Sequence, residues 1–195
     1  RLLASVPQNT DNLGIRLIQS FSRRDRLSFS FNLQSRGART LQLFGFRDSS
    51  QGRGQNADLG WTHNLSQTLI NNLRWNFSRN RSQVVPFFAY GRDVAAELNI
   101  RGTSNNPVNY GPPNLSFTNF GALSDASFSL RRDQASAVND SLIWVRGKHN
   151  LTLGGGYRRS QINSLSDQNG RGSFSFSGLA TSAFDERGQP LAGTG

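Results

Sequence analysis

The chain contains no cysteine, which excludes a disulfide framework and a thiolate metal site. Large barrels that close their own sheet have little need of disulfides, so the absence suits them better than a secreted soluble domain. No run of about 18 apolar residues occurs, which excludes a transmembrane helix. Transmembrane strands stay open, because they alternate and escape hydropathy scans. Lysine is nearly missing: of 22 Lys and Arg residues only Lys148 is a lysine, and the arginines are scattered from Arg1 to Arg187. They form doublets at Arg23-Arg24, Arg131-Arg132 and Arg158-Arg159 but no tract. The net charge of +10 therefore lacks the clustered footprint of a nucleic-acid binder. No nucleic-acid partner is expected, and the arginines are assigned to lumen-facing positions and turns. Apolar residues make up only 35%, against roughly 45–50% in soluble domains on a slightly different residue set. Ser, Asn, Gln, Arg and Gly fill the deficit, a mixture that suits sheets with one polar face.

What is present is a rhythm of alternating strands paired through very short turns. In Ala57–Leu65, the residues Leu59, Trp61, His63 and Leu65 share one face, opposite Gly60, Thr62 and Asn64. In Leu69–Arg79, Leu73, Trp75 and Phe77 share a face, opposite Arg74, Asn76 and Ser78. A period of two means strands. Two more hairpins follow the same rule, giving pairs over residues 13–34, 57–79 and 135–162 with tight turns at 22–26, 66–68 and 146–149. The predicted strands of about nine and eleven residues match a tilted bilayer crossing.

Between the pairs lie three long loops, expected over residues 35–56, 82–132 and 163–172. Thr40–Phe46 is a candidate extension of the sheet beyond the membrane. Asp93 is a candidate cap for one helical turn over Asp93–Leu98. Residues 105–114 are too dense in turn formers for a regular strand, and Ser173–Ser177 alternates like a short one. The expectation is all-β: an antiparallel transmembrane barrel fragment of about seven strands, in meander hairpins with long extracellular loops. Arg1–Val6 does not read as a signal peptide and the chain stops in loop-like composition, so an internal fragment of a longer protein is expected.

Chemistry-bearing constellations are few. His63 lies beside Trp61 on an apolar face, and His149 lies in a turn. Neither has a second ligand at metal spacing. No Gly-x-Ser-x-Gly elbow supports a serine nucleophile. Asp167–Gly172 lacks the later acidic ligand of a calcium loop. Gly154-Gly155-Gly156 precedes no helix that a phosphate could cap, and is read as reducing bulk on a barrel wall. Asn64-Leu-Ser and Asn150-Leu-Thr fall in or beside strands, where a glycan is obstructed. No catalytic residue, metal or cofactor is expected, and the protein is not read as an enzyme. Tyr110, Phe117 and Phe120 are the candidate ligand contacts, since loop aromatics can stack on a ligand. Packing of the loop against itself is the competing reading.

Residues 56–66 (Asn-Ala-Asp-Leu-Gly-Trp-Thr-His-Asn-Leu-Ser), 69–79 (Leu-Ile-Asn-Asn-Leu-Arg-Trp-Asn-Phe-Ser-Arg) and 146–158 (Arg-Gly-Lys-His-Asn-Leu-Thr-Leu-Gly-Gly-Gly-Tyr-Arg) resemble barrel strands of TonB-dependent outer-membrane receptors. The likeness is to the Oar-like, acidobacterial type, which carries a carboxypeptidase-regulatory-like domain before its plug. The loop over residues 109–120 is similar too, and the resemblance runs from about Leu13 onward. It implies an outer-membrane location, lipid contact, an extracellular ligand bound in the loops, and coupling to the TonB complex through a plug not carried by these residues. Such receptors close about 22 strands. Two rivals share parts of the pattern: a secreted or surface β-sandwich or adhesin module, whose buried face also produces alternation, and a basic nucleic-acid binder.

Overall fold

The computed structural model describes residues 5–42, 45–118, 120–167, 169–177, 182–189 and 191. Six strands make one antiparallel sheet in the order β1 (Gln8–Ser20), β2 (Asp25–Leu41), β3 (Arg47–Ser66), β4 (Leu69–Val85), β6 (Ser129–Arg146) and β7 (His149–Ser166). Two short strands, β5 (Asn114–Phe117) and β8 (Ser173–Phe176), pair in parallel apart from it. Between β4 and β6 lie one helical turn, α1 (Val94–Glu97), and a 3₁₀ turn over Pro107–Asn109.

Three turns join the hairpins at one end, each held by local chemistry. Ser22 Oγ accepts from the Arg24 and Asp25 amides, both at 3.0 Å, and donates to Asp25 Oδ2 at 2.8 Å. Ser66 Oγ accepts from Thr68 N at 3.1 Å, beside a register shift between Asn64 and Ser66 that tightens the twist. Between Arg146 and His149 only Gly147 has a positive φ, +56°. That places glycine first in a two-residue II′ turn, whose twist matches the flanking strands.

The register sorts the side chains onto two faces. Leu17, Phe29, Leu59, Trp75, Val138 and Tyr157 form one continuous cross-strand line. The next residue along each strand turns to the other face, so Ser30, Asp58 and Asn76 stand in a polar line. Nothing covers the apolar face among the described residues: Leu17 is 61% exposed and Tyr157 71% exposed. A soluble sandwich would bury this face against a second sheet; as it stands it needs an apolar solvent.

The apolar belt runs obliquely across the register. On β1 and β2 its loop-side edge is Leu13 opposite Leu33, level with Arg79 of β4. On β6 and β7 the edge is Val138 opposite Tyr157, level with Trp75. A drop of about four residues over five strand steps is about 13 Å along against about 24 Å across, a slope of roughly 30°. Barrel strands tilt by about 35–45° to the membrane normal, and a level belt must cross tilted strands in this way.

Glycines fix the fit of β7 against β6. A Cβ on Gly154 would lie 2.9 Å from the Asp140 carbonyl oxygen, and one on Gly156 would collide with the Asn139 side chain. The glycine run thins the wall where two backbones come close.

Three sequence expectations change. Residues 35–56 are not a long loop: β2 runs to Leu41 and β3 starts at Arg47, with only residues 42–46 between, so the sheet extends well past the belt. Of Thr40–Phe46, Leu43 and Phe44 lie outside the described residues. The other connections are shorter than expected, 86–128 and 167–172, because β4, β6 and β7 all continue. Among the described residues the strands number eight, since β5 forms inside the long connection and pairs with β8. The helical turn is where expected, with Asp93 Oδ1 accepting from Ala96 N at 3.0 Å.

Candidate ligand-binding cap and polar wall

The connection from Pro86 to Phe128 folds over the end of the sheet as a cap with its own core. Pro86, Phe88, Ala95 and Phe128 are buried. Phe46, Phe87 and Phe88 make an aromatic cluster with ring centroids 4.7–5.1 Å apart, and Tyr90 meets Phe128 edge-on. Buried Asp48 ties the cap to β3: its Oδ1 accepts from Phe87 N at 2.9 Å and its Oδ2 accepts from Gln42 Nε2.

A second clasp closes the cap on the connection between β7 and β8. Arg171 Nη1 donates to Asp125 Oδ2 at 2.9 Å, with the two side chains 8% and 6% exposed. Arg171 Nε donates to the Asn109 carbonyl at 3.0 Å, and Asn109 Nδ2 donates to Ser104 Oγ at 3.0 Å and Asp167 Oδ2 at 2.9 Å. Burial, the largest influence, raises the Asp125 carboxyl above its ordinary range, and neighbouring Asp48 adds to this against the pull of Arg171. The clasp thus holds a buried acid against a buried guanidinium whose Nη2 has no partner.

Between clasp and aromatic cluster lies a cavity of about 300 Å³, lined by Phe46, Phe88, Leu98, Pro112, Pro113, Leu115 and Leu123 with Gln42, Ser124 and Asp125 at its polar side. Apolar walls with a few convergent polar groups are the usual makeup of a small-ligand pocket. The three aromatics singled out in the sequence do not meet there. Phe117 stacks on Phe176 across β5 and β8 at 5.3 Å, Tyr110 follows the 3₁₀ turn, and Phe120 is 73% exposed. Phe46, Phe88 and Leu98 line the cavity instead; Phe46 and Phe88 lie in short apolar clusters beside turn formers, a weak sequence signal.

The polar face of the sheet carries a wider concavity of about 600 Å³, crossed by Arg36, Asn56, Ser78, Arg131, Asp133 and Arg158. Arg131 and Asp133 pair at 2.9 Å, and Asp58 accepts from Ser30 Oγ at 3.2 Å and from Asn76 Nδ2. At the tight-turn end, Asp25 Oδ1 lies 2.6 Å from His63 Nδ1 and accepts from Trp61 Nε1 at 3.2 Å. Ser22, Asp25 and His63 have the composition of a triad, but the acid sits between the other two. His63 therefore cannot take the Ser22 proton, as a triad requires. Among the described residues no group of three or more His, Cys, Asp or Glu could hold a metal ion.

No described helix is long and apolar enough to cross a membrane, so any crossing is by strands. A family model described as outer membrane beta barrel domain matches residues 3–194. No curated protein and no solved structure matches the chain. The exposed apolar belt, its oblique course and the polar opposite face are what a lipid-facing barrel wall requires. The chain belongs to the outer membrane beta barrel domain family, and its location is the outer membrane.

Proposed function

We propose that the chain forms part of the wall of a TonB-dependent transporter or receptor of the Oar-like type, which captures a large or scarce ligand in its cap. The observation that carries the reading is the cap itself, which has its own core, two polar clasps and an apolar cavity at the loop end of the sheet. A built outer end of this kind suits capture ahead of passage. The polar concavity supports a lumen-facing wall. Among the described residues β1 and β7 each pair with one neighbour, and lipid tolerates no open sheet edge, so in this reading further strands complete a wider barrel. The tight turns face the periplasm and the cap faces outward. The plug and the TonB complex belong to the same reading, and no catalytic step is assigned.

The test uses cells carrying the full-length chain. Uptake of candidate solutes is compared with and without residues 90–123, and with and without an uncoupler of the proton-motive force. Both treatments should suppress uptake. Uptake indifferent to the uncoupler overturns energy coupling. Loss of surface attachment with unchanged transport favours an adhesin.

A further inference from the structure

The cavity in the cap has an acceptor-rich end with more acid than base behind it. Gln42 Nε2 donates to Asp48 Oδ2, which leaves Oε1 as the amide atom with no partner among the described residues. The opposite amide orientation would set that oxygen against a carboxylate oxygen. Asp48 is buried and accepts from Gln42 and the Phe87 amide, and no cation pairs with it among the described residues. Burial raises the Asp125 carboxyl and the charge of Asp48 raises it further, so the two acids lie within electrostatic reach of each other. Among the described residues Arg171 is the one guanidinium paired with either of them. Two carboxylates for one guanidinium leave a net negative charge beside the cavity. Buried charge without a partner is costly, and a ligand that carries the missing cation relieves that cost.

The lining sets the rest of the chemistry. Gln42 Oε1, the Asp125 carboxylate and the Ser124 hydroxyl can all accept, and a primary ammonium has three donors and no acceptor. Arg171 does not line the cavity, so an anionic group entering it would meet acids and find no cation. The other walls are apolar, with the Phe46 and Phe88 rings 4.7 Å apart and Leu98, Pro112 and Pro113 among the rest. Flat phenyl and prolyl surfaces suit an aromatic ring, and an aromatic face also attracts a cation. The volume of about 300 Å³ is the small end of the range for ligand sites, about 300–1,000 Å³. One ring on a short arm fits it; a large solute does not.

We infer that the cap cavity binds a small arylalkyl primary amine, its ring against Phe46, Phe88 and Pro113 and its ammonium on Gln42 Oε1 and the Asp125 carboxylate. The inference rests on the reading that the cap captures a ligand, and it names the class of that ligand. The ammonium balances the second acid, and the apolar walls hold the ring.

The measurement is calorimetric binding of 2-phenylethylamine to the full-length protein in mild detergent. The compounds 2-phenylethanol, 3-phenylpropionate and phenylalanine are run alongside, since they share the ring and differ at the polar end. The amine should bind about tenfold tighter than the alcohol, because its hydrogen bonds are charge-assisted, and the two carboxylate compounds should bind more weakly still. Gln42→Leu should cut amine binding about tenfold and shrink its preference over the alcohol. Arg74→Gln on the polar face of the sheet should change nothing. Should Gln42→Leu fail to show heat-modifiable gel mobility, Leu98→Ala, exposed and outside both clasps, should weaken amine and alcohol alike. Equal binding of amine and alcohol, a carboxylate compound that binds as tightly as the amine, or unchanged amine binding by the lining variants overturns the inference. Cap-dependent uptake with no amine binding overturns it and leaves the transport reading standing. Amine binding without uncoupler-sensitive uptake supports it and overturns the transport reading.

Discussion

Arg171 and Asp125 form a buried ion pair at 2.9 Å between two separate connections at the loop end of the sheet. Removing one partner of such a pair leaves the other charged and buried, at about 3–5 kcal/mol. Arg171→Met should therefore loosen the cap while the sheet, which shares none of these contacts, keeps its fold. Hydrogen exchange should rise across residues 100–128 and 167–172 with strand protection unchanged. Arg171→Met combined with Asp125→Leu should restore much of the protection, because no lone charge remains.

Gly111 packs against the same guanidinium. Its φ is +150°, and a Cβ there would lie 2.8 Å from Arg171 Cζ. Gly111→Ala should reproduce the Arg171→Met exchange pattern in part, through strain and displacement together. Gly102→Ala is the control: its φ of +85° is also unfavourable for alanine, but its Cβ would meet nothing within 4 Å. Loosening by Gly111→Ala no greater than by Gly102→Ala would mean that backbone strain alone is responsible.

The acid of the clasp sets a pH dependence of definite sign. Burial raises the Asp125 carboxyl above its unfolded range near 3.9. A group raised on folding contributes stability that is fully present below its unfolded pKa and is lost as pH rises through its folded pKa. Acidification should thus tighten the cap as far as Asp125 is concerned. Amide exchange in the cap, corrected for the intrinsic effect of pH, should slow between pH 7.5 and pH 4.5. Asp125→Asn should abolish that difference; a clasp that opens on acidification instead would show the sign to be wrong.

The belt was legible because its signal is local. Leu27, Phe29, Phe31 and Leu33 alternate with Ser28, Ser30 and Asn32, and tight turns bracket such runs. The strand extensions over residues 35–41 and 47–56 were hidden, since Arg36, Arg53 and Gln55 make both faces polar there and erase the period. The clasp was hidden for another reason: Asp125 and Arg171 are 46 positions apart, with no pattern linking them. That Arg53, Arg81 and Arg132 share one line on the apolar face, and not the lumen or the turns, needed the register, because only pairing brings them together.

Two neighbouring cross-strand pairs give the sharpest test of which face meets lipid. Leu59 opposes Trp75 in the middle of the belt, and Asp58 opposes Asn76 on the other face. An arginine near the midplane on the lipid face costs about 2–4 kcal/mol. Leu59→Arg should lose that much in unfolding from lipid vesicles. Asn76→Arg should lose less than about 1 kcal/mol, because a guanidinium there can pair with Asp58, which already accepts from Asn76. If the two faces were assigned the wrong way round, Asn76→Arg would be the damaging change and Leu59→Arg the tolerated one. Equal costs at both positions would mean that neither face meets lipid.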